Sequence, residues 1–405
     1  MNRLSNLFFI SALMLTSLAS VGTRTAQAQS FSVIYAFTGG TDGYWPHSGL
    51  TLDAAGNLYG TTTQGYGPGT VFQLKRTNGN WILKTLGLIG SSPFGKVVRG
   101  PGGALYGTTN QGGSGGCQFG CGTVYELRPA CVTGNCSWIV SVLHSFRDWA
   151  ASDGYSPGDV DPVFDQAGNL YGTTQVGGSG GYGVVFKLTP SGDGWTESLI
   201  HNFNFGGDEA YGPISGVIFD NGGNLYGTTG SGGVYGQGTV YRLTPSGAGW
   251  VASTLYSFLG GEDGGIPTGG LIFDRSGNLY GTTTAGGCFA GGSVFELSPV
   301  GESWTFSLLH CWSGNNGGPT GDLAMDAAGN LYGAATDDGA FGYGSVFKLA
   351  PTGGGWTYTD LYDFTGLDDG AYPDGGVTVD ANGILYGTAS GSGQYGGGVV
   401  WEIKP

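Results

Sequence analysis

Residues 267–312, PTGGLIFDRSGNLYGTTTAGGCFAGGSVFELSPVGESWTFSLLHCW, contain four strand-like runs divided by turn signals. A short apolar run, Gly270-Leu271-Ile272-Phe273, follows Pro267 and ends at an Asp-x-x-Gly-Asn turn, Asp274 to Asn278. The run Leu279-Tyr280-Gly281-Thr282-Thr283 comes next, and a glycine-rich connection leads to Gly292–Leu297. A Ser-Pro turn then introduces the last run, Trp304 to Trp312. Glycine and asparagine provide the positive φ angles that such tight turns require. The tripeptide Leu-Tyr-Gly marks seven copies of this frame, with tyrosines at 59, 106, 171, 226, 280, 332 and 386. About 54 residues per four-stranded unit is the size of a propeller blade. The first run is apolar on successive residues, as in a sheet covered on both faces. The expected fold is therefore all-β: a seven-bladed β-propeller of four-stranded blades.

The ends of the chain point to a closed ring. The seventh frame stops after its third run, Val399–Ile403, and the missing fourth run is found as Phe31–Phe37. Pairing the N-terminal strand with the C-terminal three would hide an edge that otherwise invites aggregation. No window beyond the first 28 residues carries a helical period.

Residues 1–28 read as a secretory leader: Arg3, the apolar run Leu7–Ala19, then Ala26-Gln27-Ala28 before Gln29. The expected organisation is a signal peptide, 1–28, and one propeller domain, 29–405. Glycine, at 86 of 405 residues, is far above its usual share of roughly 7%, yet 13% aromatic and 39% hydrophobic content argues against disorder. The formal charge of −15 falls to −17 without Arg3 and Arg24, which disfavours nucleic acid and anionic lipid. No later apolar run reaches membrane-spanning length, so a secreted, extracytoplasmic, monomeric protein is expected.

Six cysteines, Cys117, Cys121, Cys131, Cys136, Cys288 and Cys311, fit an oxidising compartment. Strand order places the second-to-third and fourth-to-first connections on one face, the mouth. Cys288 and Cys311 both reach that face and can bridge, while Cys117–Cys121 and Cys131–Cys136 would be local links. The first four cysteines lack the tight C-x2-C spacing of a zinc knuckle.

The recurring G-N-L-Y-G-T-T…G-T-V-[FY]-x-L…W…L-Y-x-F frame resembles the GloVer tandem-repeat family of exported bacterial proteins with a choice of anchor. The resemblance covers residues 31–405 and implies an extracytoplasmic location. That family often carries a sorting tail, whereas this chain ends Glu402-Ile403-Lys404-Pro405, so release or non-covalent retention is expected. It implies no catalytic residues.

Each fourth-to-first loop ends in proline, and Asp42, Asp153, Asp208, Asp263 and Asp369 lie mid-loop, with Asn315 or Asn316 in a sixth. One carboxylate per blade does not converge as calcium requires, so Asx-turns are the expected role. His144, His201 and His310 fill the slot of Tyr35, Tyr256 and Tyr362 and read as strand residues, which leaves His47 alone in a mouth loop. Before the innermost apolar run, four blades have glycine and three have Lys96, Asp159 and Asp322; Asp161 and Asp374 join them at the mouth. Aromatic candidates for ligand contact are Tyr44, Trp45, Trp149, Tyr155, Tyr211 and Tyr372, because rings beside carboxylates suit both sugars and protein partners.

The expected role is an extracellular binding module for glycan or protein. The rival is a carbohydrate-active hydrolase or lyase, with Asp159, Asp322 and His47 as acids or bases and Lys96 as charge stabiliser. A purely structural surface protein is the third possibility. No P-loop, H-E-x-x-H or G-x-S-x-G motif occurs, and neither cofactor nor metal is implied.

Overall fold

The computed structural model describes residues 29–405, apart from 64–67, 91, 133–134, 148–152, 158–159, 193, 206–209, 248 and 314–316. The expected leader at 1–28, Trp149, Asp159, Asp208, Asn315 and Asn316 therefore lie outside the described residues. The described strands form seven antiparallel four-stranded sheets arranged in a ring, a seven-bladed β-propeller. Six sheets keep sequence order, and the seventh joins Ser30–Ala36 to Val399–Lys404, Leu385–Ala389 and Val377–Val379. Phe31 lies opposite Ile403 and Val33 opposite Trp401, so the ring closes with the N-terminal strand outermost. The innermost strands are shorter than their apolar runs. In blade 5 only Ile272–Phe273 pairs, because Leu271 fills the core while its backbone leaves the sheet toward the mouth.

The Leu-Tyr-Gly-Thr-Thr run recurs because each of its positions has a separate task. The leucine, as in Leu58 or Leu279, is fully buried between neighbouring sheets. The tyrosine hydroxyl donates to the aspartate of the preceding turn, as from Tyr226 to Asp220 at 3.0 Å. That carboxylate also accepts from Asn224 through both backbone and side chain, closing a rigid bracket. The glycine is required by a close approach, since a Cβ on Gly60 would lie 2.6 Å from the Phe72 ring. The first threonine donates to a carbonyl of the next blade, as from Thr61 to Pro93 at 3.1 Å and from Thr388 to Ser48 at 2.9 Å. The second meets a hydroxyl of the third strand, as Thr62 does with Thr70 at 2.8 Å.

Two disulfides follow the expected pairing, Cys117–Cys121 and Cys288–Cys311. Cys131 and Cys136 face each other across their hairpin, and Cys136 is disulfide-bonded. The frame tryptophans Trp195, Trp250, Trp304 and Trp356 lie opposite prolines on outer strands, as packing residues should. Among the described residues no helix is long and apolar enough to cross a membrane.

Candidate functional site at the channel mouth

Each fourth-to-first loop must turn from the rim of one blade into the axis of the next. In five of the seven loops a non-glycine residue before the proline does this with a positive φ: 57° at Trp45, 60° at Ser92, 56° at Ser156, 53° at Ile266 and 58° at Tyr372. A non-glycine residue held there costs on the order of 1–3 kcal/mol. Two backbone hydrogen bonds fix it. Trp45 N donates to Gly397 O of blade 7, and its carbonyl accepts from Thr63 N of its own blade; Ile266 and Tyr372 repeat the pattern. The clamp turns the side chain outward, so Trp45 and Tyr372 on adjacent blades are both 38% exposed. Tyr44 packs on Trp45 with ring centroids 4.6 Å apart, and Tyr343 meets Tyr372 edge-on at 6.2 Å.

Inside that rim lies a cavity of about 370 Å³. The residue after each loop proline supplies much of its wall: His47, Phe94, Thr268, Thr320 and Asp374. His47 Nδ1 is 2.9 Å from Asp374 Oδ2, and that same oxygen accepts from Ser390 Oγ at 2.7 Å. The Phe94 ring stands edge-on to the imidazole at 5.6 Å.

The cavity floor is a charged bridge. Lys96 Nζ lies 2.7 Å from Asp161 Oδ2 on the neighbouring blade and 3.1 Å from Asp322 Oδ2 on the far side of the ring. Backbone donors fix both carboxyls: Lys96 N to Asp161 Oδ1 at 2.8 Å, and Gly270 N to Asp322 Oδ1 at 2.6 Å. One ammonium serves two carboxyls, so their protonation diverges. Burial raises the Asp161 carboxyl, which against the Asp322 charge reaches about 7 despite Lys96. Asp322 is held below the usual carboxylate range, because Lys96 and the Gly270 N–H outweigh its burial. Both carboxyls thus share the charge of one ammonium.

The expected site residues thus divide. His47, Lys96, Asp322 and Asp374 meet at the cavity, while Tyr44, Trp45 and Tyr372 sit on the loops that lead to it and do not line it. Tyr155 pairs with Val176 and Tyr211 with Ser231, and neither lines the cavity. Asp161 contacts Lys96 and stands against Gly216, and Asp159 lies outside the described residues. Blade 3 has one residue fewer between Pro157 and its core Val160, and an added Asp161-Pro162 before its first strand at Val163–Phe164. Phe94, Thr268 and Thr320 escaped the sequence reading. Their signal was position, one residue after each mouth proline.

The mid-loop carboxylates behave as turn residues at three blades. Asp42, Asp263 and Asp369 each accept from a backbone N–H four residues earlier, and from Tyr35, Tyr256 and Tyr362 at 3.0, 2.8 and 2.9 Å.

Residues 93–320 and 216–405 match the Gloeobacter/Verrucomicrobia repeat. The chain belongs to this repeat family. No curated protein sequence matches it. Among solved structures, a provisionally named 6-phosphogluconolactonase from Bacteroides uniformis superposes with a TM-score of 0.54 at 15% identity, covering 84% of this chain and 89% of its own. A second so named, from Bacteroides fragilis, gives 0.54 at 16% identity over 84% and 88%. At such identity the likeness concerns the propeller fold alone.

Proposed function

We propose that this repeat-family propeller is an exported recognition module that binds a neutral, hydroxyl-rich sugar at the channel mouth. The observation that carries this reading is the axial cavity, roughly the size of one or two sugar rings, walled by paired polar groups and one aromatic ring under an aromatic rim. Vicinal hydroxyls both donate and accept. Carboxyls already bonded to Lys96 and His47 can still accept from them through their remaining lone pairs, and Phe94 offers a ring to a sugar's apolar face. Export is supported by the leader-like residues 1–28 and by the two disulfides.

A catalytic glycosidase is disfavoured because one ammonium already engages both carboxyls, leaving neither free to act as acid or nucleophile. A phosphosugar, the substrate class named for the neighbouring folds, would bring a dianion to a cavity whose lysine is already engaged by two carboxyls.

A glycan array probed with the mature chain tests the proposal. Binding to a subset of neutral oligosaccharides, weakened at least about tenfold by Phe94→Ala and His47→Ala, is expected. Absence of any neutral-glycan signal, or binding unchanged in both variants, would overturn it. Release of new reducing ends from a bound glycan, abolished by Asp322→Asn, would establish the enzymatic reading instead.

A further inference from the structure

Several seams between blades share one construction. At the outer end of a fourth strand, the residue opposite a buried third-strand valine points at the mid-loop aspartate, while a side chain of the following blade covers its ring. Tyr256 shows the pattern, donating to Asp263 and stacking on Phe306 with ring centroids 4.6 Å apart. Tyr362 stacks on Phe31 at 3.7 Å and His310 on Tyr358 at 4.0 Å.

The seam between blades 2 and 3 departs at both positions. His144 replaces the tyrosine, and Glu197 stands in the register slot that Phe306 and Tyr358 fill elsewhere. His144 Nε2 lies 3.6 Å from Asp153 Oδ2 and 3.7 Å from Glu197 Oε1, and the three donor atoms lie within 4.8 Å of one another. These distances exceed those of good hydrogen bonds. They approach the span of about 3.4 Å between two ligands bonded at 2.0–2.2 Å to one tetrahedral ion. The side chains of Asp153, Glu197 and His144 are only 3%, 14% and 18% exposed. His144 Nε2, Asp153 Oδ1 and Glu197 Oε1 are buried without a hydrogen bond. A tyrosine would satisfy the aspartate and an aromatic neighbour would need no partner. This seam instead brings one potential ligand atom from each of three residues within 4.8 Å of the others.

We propose that His144, Asp153 and Glu197 form a binding site for a divalent transition ion of the zinc class, clipping blade 2 to blade 3. One imidazole and two carboxylates are a borderline donor set that suits zinc and leaves a fourth position for water. Three donors fall short of the six to eight oxygens of calcium. Two carboxylates outweigh the single positive charge of Arg147, whose Nε donates to Asp153 Oδ2 at 3.2 Å and whose side chain is 69% exposed.

The test is zinc titration of the untagged, chelator-treated mature chain, read by calorimetry and by metal analysis after dialysis. One zinc per chain, bound with micromolar affinity or better and raising the Tm, is expected. Glu197→Gln, which keeps the side-chain volume, should weaken binding at least about tenfold. The double variant H144Y/E197F rebuilds the seam of blades 4 and 5, and should stay folded by circular dichroism while binding no zinc. His47→Ala at the mouth should leave the titration unchanged. A folded wild-type chain that takes up no zinc at 100-micromolar free metal, or zinc binding that survives H144Y/E197F, would overturn the proposal.

Discussion

The two faces of this propeller are built by opposite rules. On the turn face, one bracket recurs in five blades with hardly any change: Asp53, Asp165, Asp220, Asp274 and Asp326 each accept from the backbone and side-chain amides of an asparagine four residues on, and from a tyrosine hydroxyl six residues on. On the mouth face, the loop path repeats but the side chains on it do not. After the loop proline come His47, Phe94, Thr268, Thr320 and Asp374, and the axial ring mixes glycine with Lys96, Asp161 and Asp322. A repeated residue therefore marks what every blade needs in order to stand, and a substitution on a repeated path marks what one blade alone does. Variants that separate the two rules should rank by how many blades depend on the residue removed.

The largest loss is expected at the ring closure. Trp401 is fully buried on the third strand of blade 7, with its ring near those of Phe31 and Phe364. Trp401→Ala should cost about 3–5 kcal/mol in denaturant unfolding, through lost burial and the cavity left behind. Next comes the axial bridge. Lys96→Met strands two carboxyls; for a fully buried pair the loss would be larger, but water reaches a quarter to a third of these side chains, so about 1–3 kcal/mol is expected at pH 7. Asp161→Asn should cost less than Lys96→Met, since this carboxyl is the one pushed toward neutrality and an amide can take its place. Equal losses from the two variants would refute the division of charge described here.

The turn brackets should show their share as acid sensitivity. Although burial opposes it, the Asn224 and Tyr226 bonds hold Asp220 below the usual carboxylate range, and Asp53, Asp165 and Asp326 are held down in the same way. A carboxyl depressed in the folded state binds fewer protons there than in the unfolded chain. Its stabilisation is thus complete above the unfolded pKa of about 3.9 and drains away as the pH falls through the lower folded value. Asp220→Ala should cost about 1–2 kcal/mol at pH 7, and the difference from wild type should shrink steadily below pH 4. A pH-independent difference would show that the bracket acts by shape rather than by charge.

Much of the architecture was legible because it is repetitive. Seven copies of Leu-Tyr-Gly and an orphan strand at Phe31–Phe37 suffice for blade number and closure, since only a ring lets the last sheet borrow its fourth strand from the first residues. The site was legible in part. His47, Lys96, Asp322 and Asp374 stood out as breaks in the frame, and the cavity contains all four. Phe94, Thr268 and Thr320 did not, because apolar and hydroxyl side chains in a glycine-rich loop carry no chemical signature until the axis brings them together. Asp161 was expected at the mouth too, but not as the partner of Lys96, because a local insertion in blade 3 shifts register without disturbing the apolar pattern. Glu197 was missed for a further reason. Its meaning depends on His144 of the preceding blade, 53 residues earlier, and the seam that joins them is a property of the ring and not of either frame.

The smallest effect on stability and the largest on recognition should come from the same residue. Trp45 sits in the strained left-handed region, yet its backbone bonds to Gly397 and Thr63 do not involve the indole. The ring packs mainly on Tyr44 and is 38% exposed. Trp45→Ala should therefore change unfolding free energy by no more than about 0.5 kcal/mol, as surface substitutions usually do. If the rim holds a sugar face, the same variant should lose at least about tenfold in affinity for any glycan that the wild type binds, and Trp45→Gly, which also relieves the positive φ, should be as weak a binder but slightly more stable. A marked loss of stability in Trp45→Ala would assign the indole to the fold, and the mouth would then obey the rule of the turn face after all.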